Sequence, residues 1–169
     1  TNEALTLKNR LLTNFESAFS AESEEELEEI MNIVVVGGGP TGVELSGAIA
    51  QMKKFILPKD YPDLDFSKLN IYLIEGGPNL LGPMSDLAHK KSYEYLTGMG
   101  VNVWTDGRVI NYDGKTISLD DGRTIKTRNL IWAAGVMGNV PEGTVKQEEL
   151  QRGNRLKVDR TSKVLGSDN

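Results

Sequence analysis

Cysteine is absent from the 169-residue chain, and histidine occurs once, at position 89. The lack of cysteine excludes disulfide bonds and thiolate metal sites, and a lone histidine has no sequence partners with which to hold a metal ion. Because His89 stands beside Lys90 and Lys91, we expect it on an exposed helix face, with a surface role rather than a catalytic one. The sequence therefore predicts no metal site.

Long apolar runs and a basic excess are also missing. No run approaches the roughly 18 residues that span a bilayer, and the N-terminus lacks a basic-then-apolar signal pattern. A formal charge of −5, with lysines and arginines scattered along the chain, argues against nucleic-acid binding. We expect a soluble chain with about one domain, compatible with a cytoplasmic location.

A β-branched run that breaks into glycines organises the chain. Ile33 to Val36 are apolar on both faces, which is typical of a central parallel strand. Gly37, Gly39 and Gly42 then match the G-x-G-x-x-G pattern. There the first glycine permits a turn, the second lets backbone approach a pyrophosphate, and the third allows close helix–sheet packing. From about Thr41, a following helix offers unpaired amides to a phosphate. A loop that merely needs positive φ angles is the alternative.

Glu75 closes the next apolar run, Asn70–Ile74. A carboxylate at the carboxyl end of the second strand can accept hydrogen bonds from an adenosine ribose; an ordinary strand-end acid is the alternative. The spacing from the glycines exceeds the usual ~20 residues, and we attribute the excess to a surface loop inserted over 53–69. Because Glu75 would repel a 2′-phosphate and the 76–78 turn supplies no arginine, NADH should be preferred to NADPH.

The flanking segments are predicted from residue spacing. Residues 2–19 form an amphipathic helix, and 22–29 form an acidic, solvated helix or loop with a possible capping box at Ser23 and Glu26. A second crossover helix over 85–99 should end at Gly98 or Gly100.

Short strand-like runs separated by Asp-Gly pairs begin at Val101, and they cover 101–104, 108–112, 115–119 and 123–125. Asp-Gly between such runs is a hairpin signal, so we predict an antiparallel meander. Residues 129–135 return as a buried strand ending in small residues, which leave room for a ligand or serve helix–sheet packing. The predicted class is α/β: a Rossmann-like βαβ parallel sheet with a three-stranded antiparallel meander, and helices on the other face. The chain after Val140 is polar and loop-rich.

This order of elements resembles the nicotinamide-binding domain of two-dinucleotide flavoprotein reductases, the pyridine nucleotide-disulfide oxidoreductase-like proteins. Residues 37–45 and 132–136 are most similar to type II, non-proton-pumping NADH:quinone dehydrogenases, and the likeness covers nearly the whole chain. It implies that 1–30 are a helical connection from an FAD domain, 31–145 the NAD(H)-binding domain, and 146–169 a return segment toward the FAD domain.

The family's FAD-binding glycine-rich unit, its later Gly-Asp and its membrane anchor are not in this sequence. We therefore expect a fragment that binds NADH without flavin, quinone or membrane contact. In the parent enzyme, hydride would pass from NADH to FAD and electrons then to a respiratory-chain quinone, on the cytoplasmic face of the inner membrane. The alternatives are the same domain of a disulfide, ferredoxin or nitrite reductase, or a non-catalytic dinucleotide sensor. The oligomeric state is open.

The resemblance also implies a set of NADH contacts. The residues at the pyrophosphate would be Gly37, Gly39, Pro40, Thr41 and Gly42. Those at the adenosine would be Glu75 at the ribose and Val109 at the adenine, and Gly76, which follows Glu75, is also predicted to bind the cofactor. Those at the nicotinamide would be Ala134, Gly135, Val136 and the catalytic candidate Glu44. Because Glu44 follows the glycines by two positions, we expect it in the first helical turn, where the dipole favours a carboxylate by ~0.3–1 kcal/mol; that stabilising role is the alternative to orienting the nicotinamide.

Overall fold

The computed structural model describes residues 2–140, 150–151 and 153–165. They divide into two compact units, Thr1–Ala134 and Gly135–Asn169. The helices of the larger unit are α1 (Asn2–Ala18), α2 (Glu24–Met31), α3 (Pro40–Phe55), α4 (Leu57–Asp60) and α5 (Asp86–Gly98), with a 3₁₀ turn at Phe66–Lys68. Its strands are β1 (Asn32–Val36), β2 (Asn70–Ile74), β3 (Val101–Trp104), β4 (Val109–Tyr112), β5 (Thr116–Leu119), β6 (Thr124–Lys126) and β7 (Asn129–Trp132).

A four-stranded parallel sheet forms the centre of this unit, in the order β3-β2-β1-β7. Every residue of β1 is buried, as the unbroken β-branched run predicts for a strand covered on both faces. Val36 is in register with Ile74 on one side and with Trp132 on the other. The carboxyl ends of β1, β2 and β7 therefore meet at one edge of the sheet.

The two faces of the sheet are covered differently. One face packs against helices in a core that contains Ile33, Ile71, Phe15 of α1 and Ile49 of α3. The other packs against the three-stranded antiparallel sheet β4-β5-β6, whose inward side chains are Ile117, Leu119 and Ile125. The predicted α/β class, with a parallel sheet, a meander and helices on the opposite face, is confirmed.

The prediction for residues 101–104 was wrong in one respect. They form β3, which pairs in parallel with β2 at the sheet edge, rather than the first strand of the meander. The Asp106–Gly107 pair consequently links two sheets instead of closing a hairpin. The other two Asp-Gly pairs do connect antiparallel strands, β4 to β5 and β5 to β6.

Two segments predicted as surface features are partly buried. The inserted region 53–69 contains the end of α3, α4 and the 3₁₀ turn, and its Leu57, Phe66 and Leu69 lie in the helix-face core. In the acidic segment, Ser23 caps α2 by accepting from the Glu26 amide, but Glu29 is buried against Arg128. Apolar and oppositely charged partners distant in sequence bury these residues.

Asparagines fix the strand register at the amino ends of the sheet. Asn32 Nδ2 donates to the Lys126 carbonyl at 2.8 Å, and Asn70 Nδ2 donates to Asn32 Oδ1 at 3.0 Å. Asn129 Nδ2 donates to the Ile30 carbonyl at 2.7 Å. These bonds satisfy buried polar groups, and they lie at the edge opposite the glycine turn.

The smaller unit contains a two-stranded antiparallel pair, β8 (Leu150–Gln151) with β9 (Arg155–Leu156). An antiparallel bridge joins Val158 to Val164, and the Gly138 amide donates to the Gly153 carbonyl at 2.7 Å. Across both units, no helix in the described ranges is long and apolar enough to cross a membrane.

Candidate functional site

The first glycine of the motif turns the chain directly after β1. The Gly37 amide donates to the Ile74 carbonyl at 2.8 Å, which keeps the turn attached to β2. Its φ of +113° lies in the region that glycine tolerates and other residues avoid. A Cβ added there would lie 2.8 Å from the Ala134 Cα, because the backbone after β7 passes directly over the turn. Conformation and space both require glycine.

The third glycine lets α3 pack against this turn. A Cβ added to Gly42 would lie 1.9 Å from the Gly37 carbonyl oxygen and 3.3 Å from the Leu73 side chain. No side chain fits at that distance. The helix therefore begins closer to the sheet than any other residue type would allow.

The second glycine differs from the other two, since nothing within the described protein surrounds it. Gly39 is the N-cap of α3, with φ −72° and ψ −179°, and a Cβ added there would meet no atom within 4 Å. Neither its conformation nor its protein neighbours require glycine. The open space beside it is where a ligand can approach the backbone.

Three amide groups point from this helix end without partners. The first helical hydrogen bond runs from the Val43 amide to the Gly39 carbonyl at 3.0 Å. Pro40, at the first helical position, has no N–H. Within the described residues the amides of Gly39, Thr41 and Gly42 donate no hydrogen bond. Free amides and a positive helix end form a site for a phosphate group.

Glu75 ties the glycine turn to the loop after β2. Its Oε2 accepts from the Gly38 amide at 2.6 Å, and its Oε1 accepts from the Gly77 amide at 2.7 Å. Leu80 packs over the same turn, with a methyl 2.6 Å from the position of a Cβ on Gly38. A carboxylate offers about four acceptor sites, so the group is held in place and can still accept hydroxyl hydrogens from a sugar.

The segment after β3 lies against this loop. The Glu75 amide donates to the Trp104 carbonyl at 2.8 Å, and the Gly107 amide donates to the Glu75 carbonyl at 3.2 Å. Val109 begins β4 directly afterwards and is half-buried in the meander-face core. Gly76 is in contact with Arg108, whose Cγ lies 3.1 Å from the position of a Cβ on Gly76. Residue spacing did not predict a role for Arg108, because Arg108 reaches Gly76 only through the hydrogen bonds between the turn after β3 and the loop after β2.

The predicted nicotinamide residues are divided between the two units. Ala134 lies over the Gly37 turn, and its carbonyl accepts from the Trp132 indole at 2.8 Å. Gly135 begins the smaller unit with a φ of +82°. Val136 follows it and is exposed.

Glu44 is exposed on α3, but its position differs from the prediction. Because Gly39 is the N-cap and Pro40 the first helical residue, the first turn contains no acid and Glu44 is the fifth residue of the helix. The dipole effect falls off within the first turn. This weakens the interpretation of Glu44 as a helix-end charge.

His89 is not on an exposed face as predicted. Its side chain is 15% exposed, with Nδ1 3.7 Å from the Asp86 carboxylate, and its buried Nε2 has no partner within the described residues. It borders an open cleft of about 430 Å³ between α5 and the loop 78–80. No group of three or more potential metal ligands is arranged around an ion in the part of the chain that the structure describes.

A sequence profile described as pyridine nucleotide-disulphide oxidoreductase matches residues 3–167. The chain belongs to the pyridine nucleotide-disulphide oxidoreductase family. Among members of this family, the type II NADH:quinone oxidoreductase NdhA of Mycobacterium tuberculosis is 33% identical over 99% of this chain and 37% of the relative. The type II NADH:quinone oxidoreductase Ndh of the same organism is 29% identical over 96% of this chain and 35% of the relative.

Solved structures agree with these relatives. NDH2 from Plasmodium falciparum in complex with NADH superposes with a TM-score of 0.75 at 27% identity, covering 82% of this chain and 29% of that chain. The predicted resemblance to type II NADH:quinone dehydrogenases is thus confirmed. The chain spans somewhat more than a third of the length of the curated family members it matches.

Proposed function

We propose that this chain is the NADH-binding part of a flavin-dependent NADH dehydrogenase of the quinone-reducing type. In the proposed arrangement, 31–145 bind the nucleotide, while 1–30 and 146–169 connect to an FAD domain of the parent protein. The observation that carries the proposal is the helix end at Gly39, where three amides have no partner within the described residues and no described atom lies within 4 Å of a Cβ placed on Gly39.

Each part of the site has a definite task in this proposal. The amides at the start of α3 hold the pyrophosphate, and the carboxylate of Glu75 accepts hydrogen bonds from the adenosine ribose. Val109 contacts the adenine, and the backbone of 134–136 lies beside the nicotinamide. Glu44 orients the nicotinamide for hydride transfer, so its contribution is to geometry more than to affinity.

The hydride donor is NADH, and the proposed acceptor in the parent is FAD, from which electrons pass to a quinone. We assign NADH to the glycine turn at 37–42 and the flavin to the FAD domain of the parent protein. The names of the relatives support quinone as the final acceptor and do not favour a disulfide, ferredoxin or nitrite reductase. We place the parent in the cytoplasm, peripherally bound to the inner membrane.

Calorimetric titration of the chain tests this proposal. NADH should bind at one saturable site, and ADP-ribose should retain most of the affinity, because the open amides and Glu75 serve the pyrophosphate and the ribose. Reduced nicotinamide mononucleotide lacks the adenosine half and serves as the control, with little expected binding. Absence of NADH binding, or equal binding of the mononucleotide, would overturn the proposed site.

A further inference from the structure

We infer that Arg108 is a specificity-determining residue that gives this adenosine site an attraction for a 2′-phosphate, opposing the repulsion from Glu75. The inference rests on the proposed dinucleotide function. It concerns a residue that neither the glycine motif nor the loop after β2 contains. Arginine near the ribose acid is the group that accommodates the 2′-phosphate of NADPH in this class of fold.

The position of Arg108 is fixed from both sides. Its backbone amide donates to the Asp120 carboxylate at 2.9 Å, and its carbonyl accepts from the Asp120 amide at 2.9 Å. Its side chain then runs across Gly76, with Cγ and Nε at 3.1 and 3.7 Å from the position of a Cβ there. A larger residue at 76 would displace it. The guanidinium is thus directed along the residue that follows the ribose acid.

The guanidinium of Arg108 is also uncommitted. Among the arginines described between 2 and 134, Arg123 is paired with Asp121, Arg128 with Glu26 and Glu29, and Arg10 donates to a backbone carbonyl. Arg108 forms no side-chain hydrogen bond or ion pair within the described residues, and it is exposed. An unpaired guanidinium presents a fork of donors that matches a phosphate group.

The opposite charges of Glu75 and Arg108 predict that the site binds NADPH weakly rather than excluding it. Both Glu75 oxygens accept backbone amides, so part of the carboxylate's charge is already compensated. Arg108 lies against Gly76, the residue that follows the proposed ribose acid, and in this proposal it meets a 2′-phosphate that projects from the ribose. NADH remains the preferred nucleotide, but NADPH binds more tightly than Glu75 alone would allow.

Four proteins test the inference by calorimetric titration with NADH and NADPH: the original chain, Arg108→Gln, Glu75→Gln, and the double variant. Arg108→Gln should weaken NADPH binding by about five- to tenfold, as expected for loss of a charge-assisted phosphate contact, and should change NADH binding by less than about twofold. Glu75→Gln should strengthen NADPH binding, and the added Arg108→Gln should remove that gain. The NADPH effect should shrink at high salt.

Arg10→Gln is the matched control. It removes the same charge at the opposite end of the sheet, where Arg10 donates to the Arg128 carbonyl, and it should alter neither affinity. Circular dichroism checks that each variant is folded. Equal weakening of both nucleotides by Arg108→Gln, or no effect on NADPH in either Glu75 background, would overturn the inference while leaving the dinucleotide site intact. Failure of the original chain to bind either nucleotide would overturn both proposals.

Discussion

Two glycine-to-alanine substitutions should distinguish the residue that the fold requires from the residue that nucleotide binding requires. Gly42→Ala places a Cβ 1.9 Å from the Gly37 carbonyl oxygen. That oxygen belongs to the backbone of a turn held between β1 and β2, so it cannot rotate away as a side chain would. Gly39→Ala adds the same methyl at a position that no described atom approaches within 4 Å.

The expected magnitudes follow from these surroundings. Overpacking against backbone at Gly42 should cost about 2–3 kcal/mol, which lowers the Tm of a chain of this size by roughly 4–12 °C. At Gly39 the extended conformation suits alanine before proline. A small capping loss and a small gain from reduced unfolded-state entropy nearly offset each other, so its stability should change by less than about 1 kcal/mol.

Thermal unfolding and NADH titration read the two effects separately. Gly39→Ala should lose at least about tenfold in NADH affinity, or 1.4 kcal/mol, because the methyl occupies the space assigned to the pyrophosphate. The main effect of Gly42→Ala should be a lower Tm. An unchanged affinity in Gly39→Ala would refute the pyrophosphate position, and an unchanged Tm in Gly42→Ala would refute the close approach of α3 to the turn.

Two further predictions concern carboxylates. Restored to the full-length parent, Glu44→Ala should slow flavin reduction by NADH in stopped-flow measurements and leave NADH affinity within several-fold; a loss of thermal stability alone would make Glu44 a purely structural charge. The hydrogen bond from the Glu22 amide, followed by the Arg128 guanidinium, lowers the pKa of Glu26 below its usual 4.5. A lowered folded-state pKa stabilises the fold above pH 4.5, and this contribution is lost as the pH falls. The Tm should therefore decrease on acidification, and less steeply for Glu26→Gln; identical pH profiles would contradict the assignment.

Local patterns predicted the centre of the fold because the determinants are close together in sequence. The apolar run of β1, the glycines after it and the helix they begin lie within a continuous segment, and each glycine role can be read from its spacing. The apolar run of β2 likewise placed Glu75 at the end of that strand. The secondary structure of this segment is therefore specified mainly by its own residues.

Contacts between residues distant in sequence determine the three features that residue spacing did not predict. The run 101–104 is rich in β-branched and aromatic residues and has the same Asp-Gly flank as true hairpin strands, and only its pairing with β2 assigns it to the parallel sheet. His89 lies beside lysines in sequence, yet its side chain is largely buried beside a cleft that the loop 78–80 also lines. Arg108 reaches the loop after β2 because the turn after β3 is hydrogen-bonded to that loop.

The two amides on Glu75 restrict how cofactor choice can change by mutation. Because the carboxylate also joins Gly38 to Gly77, a residue that removes both acceptor oxygens along with the charge would also loosen the glycine turn. The preference for NADH over NADPH and the rigidity of the glycine turn therefore depend on one side chain. A substitution at position 75 changes both. Related sequences that shift toward NADPH should therefore carry glutamine or a shorter acceptor at position 75, which keeps a hydrogen bond to the turn, or should change at neighbours such as 108. A small apolar residue at 75 is the less accessible route. An alignment of relatives sorted by cofactor would show this as a narrow range of substitutions at 75 and a wide range at 108.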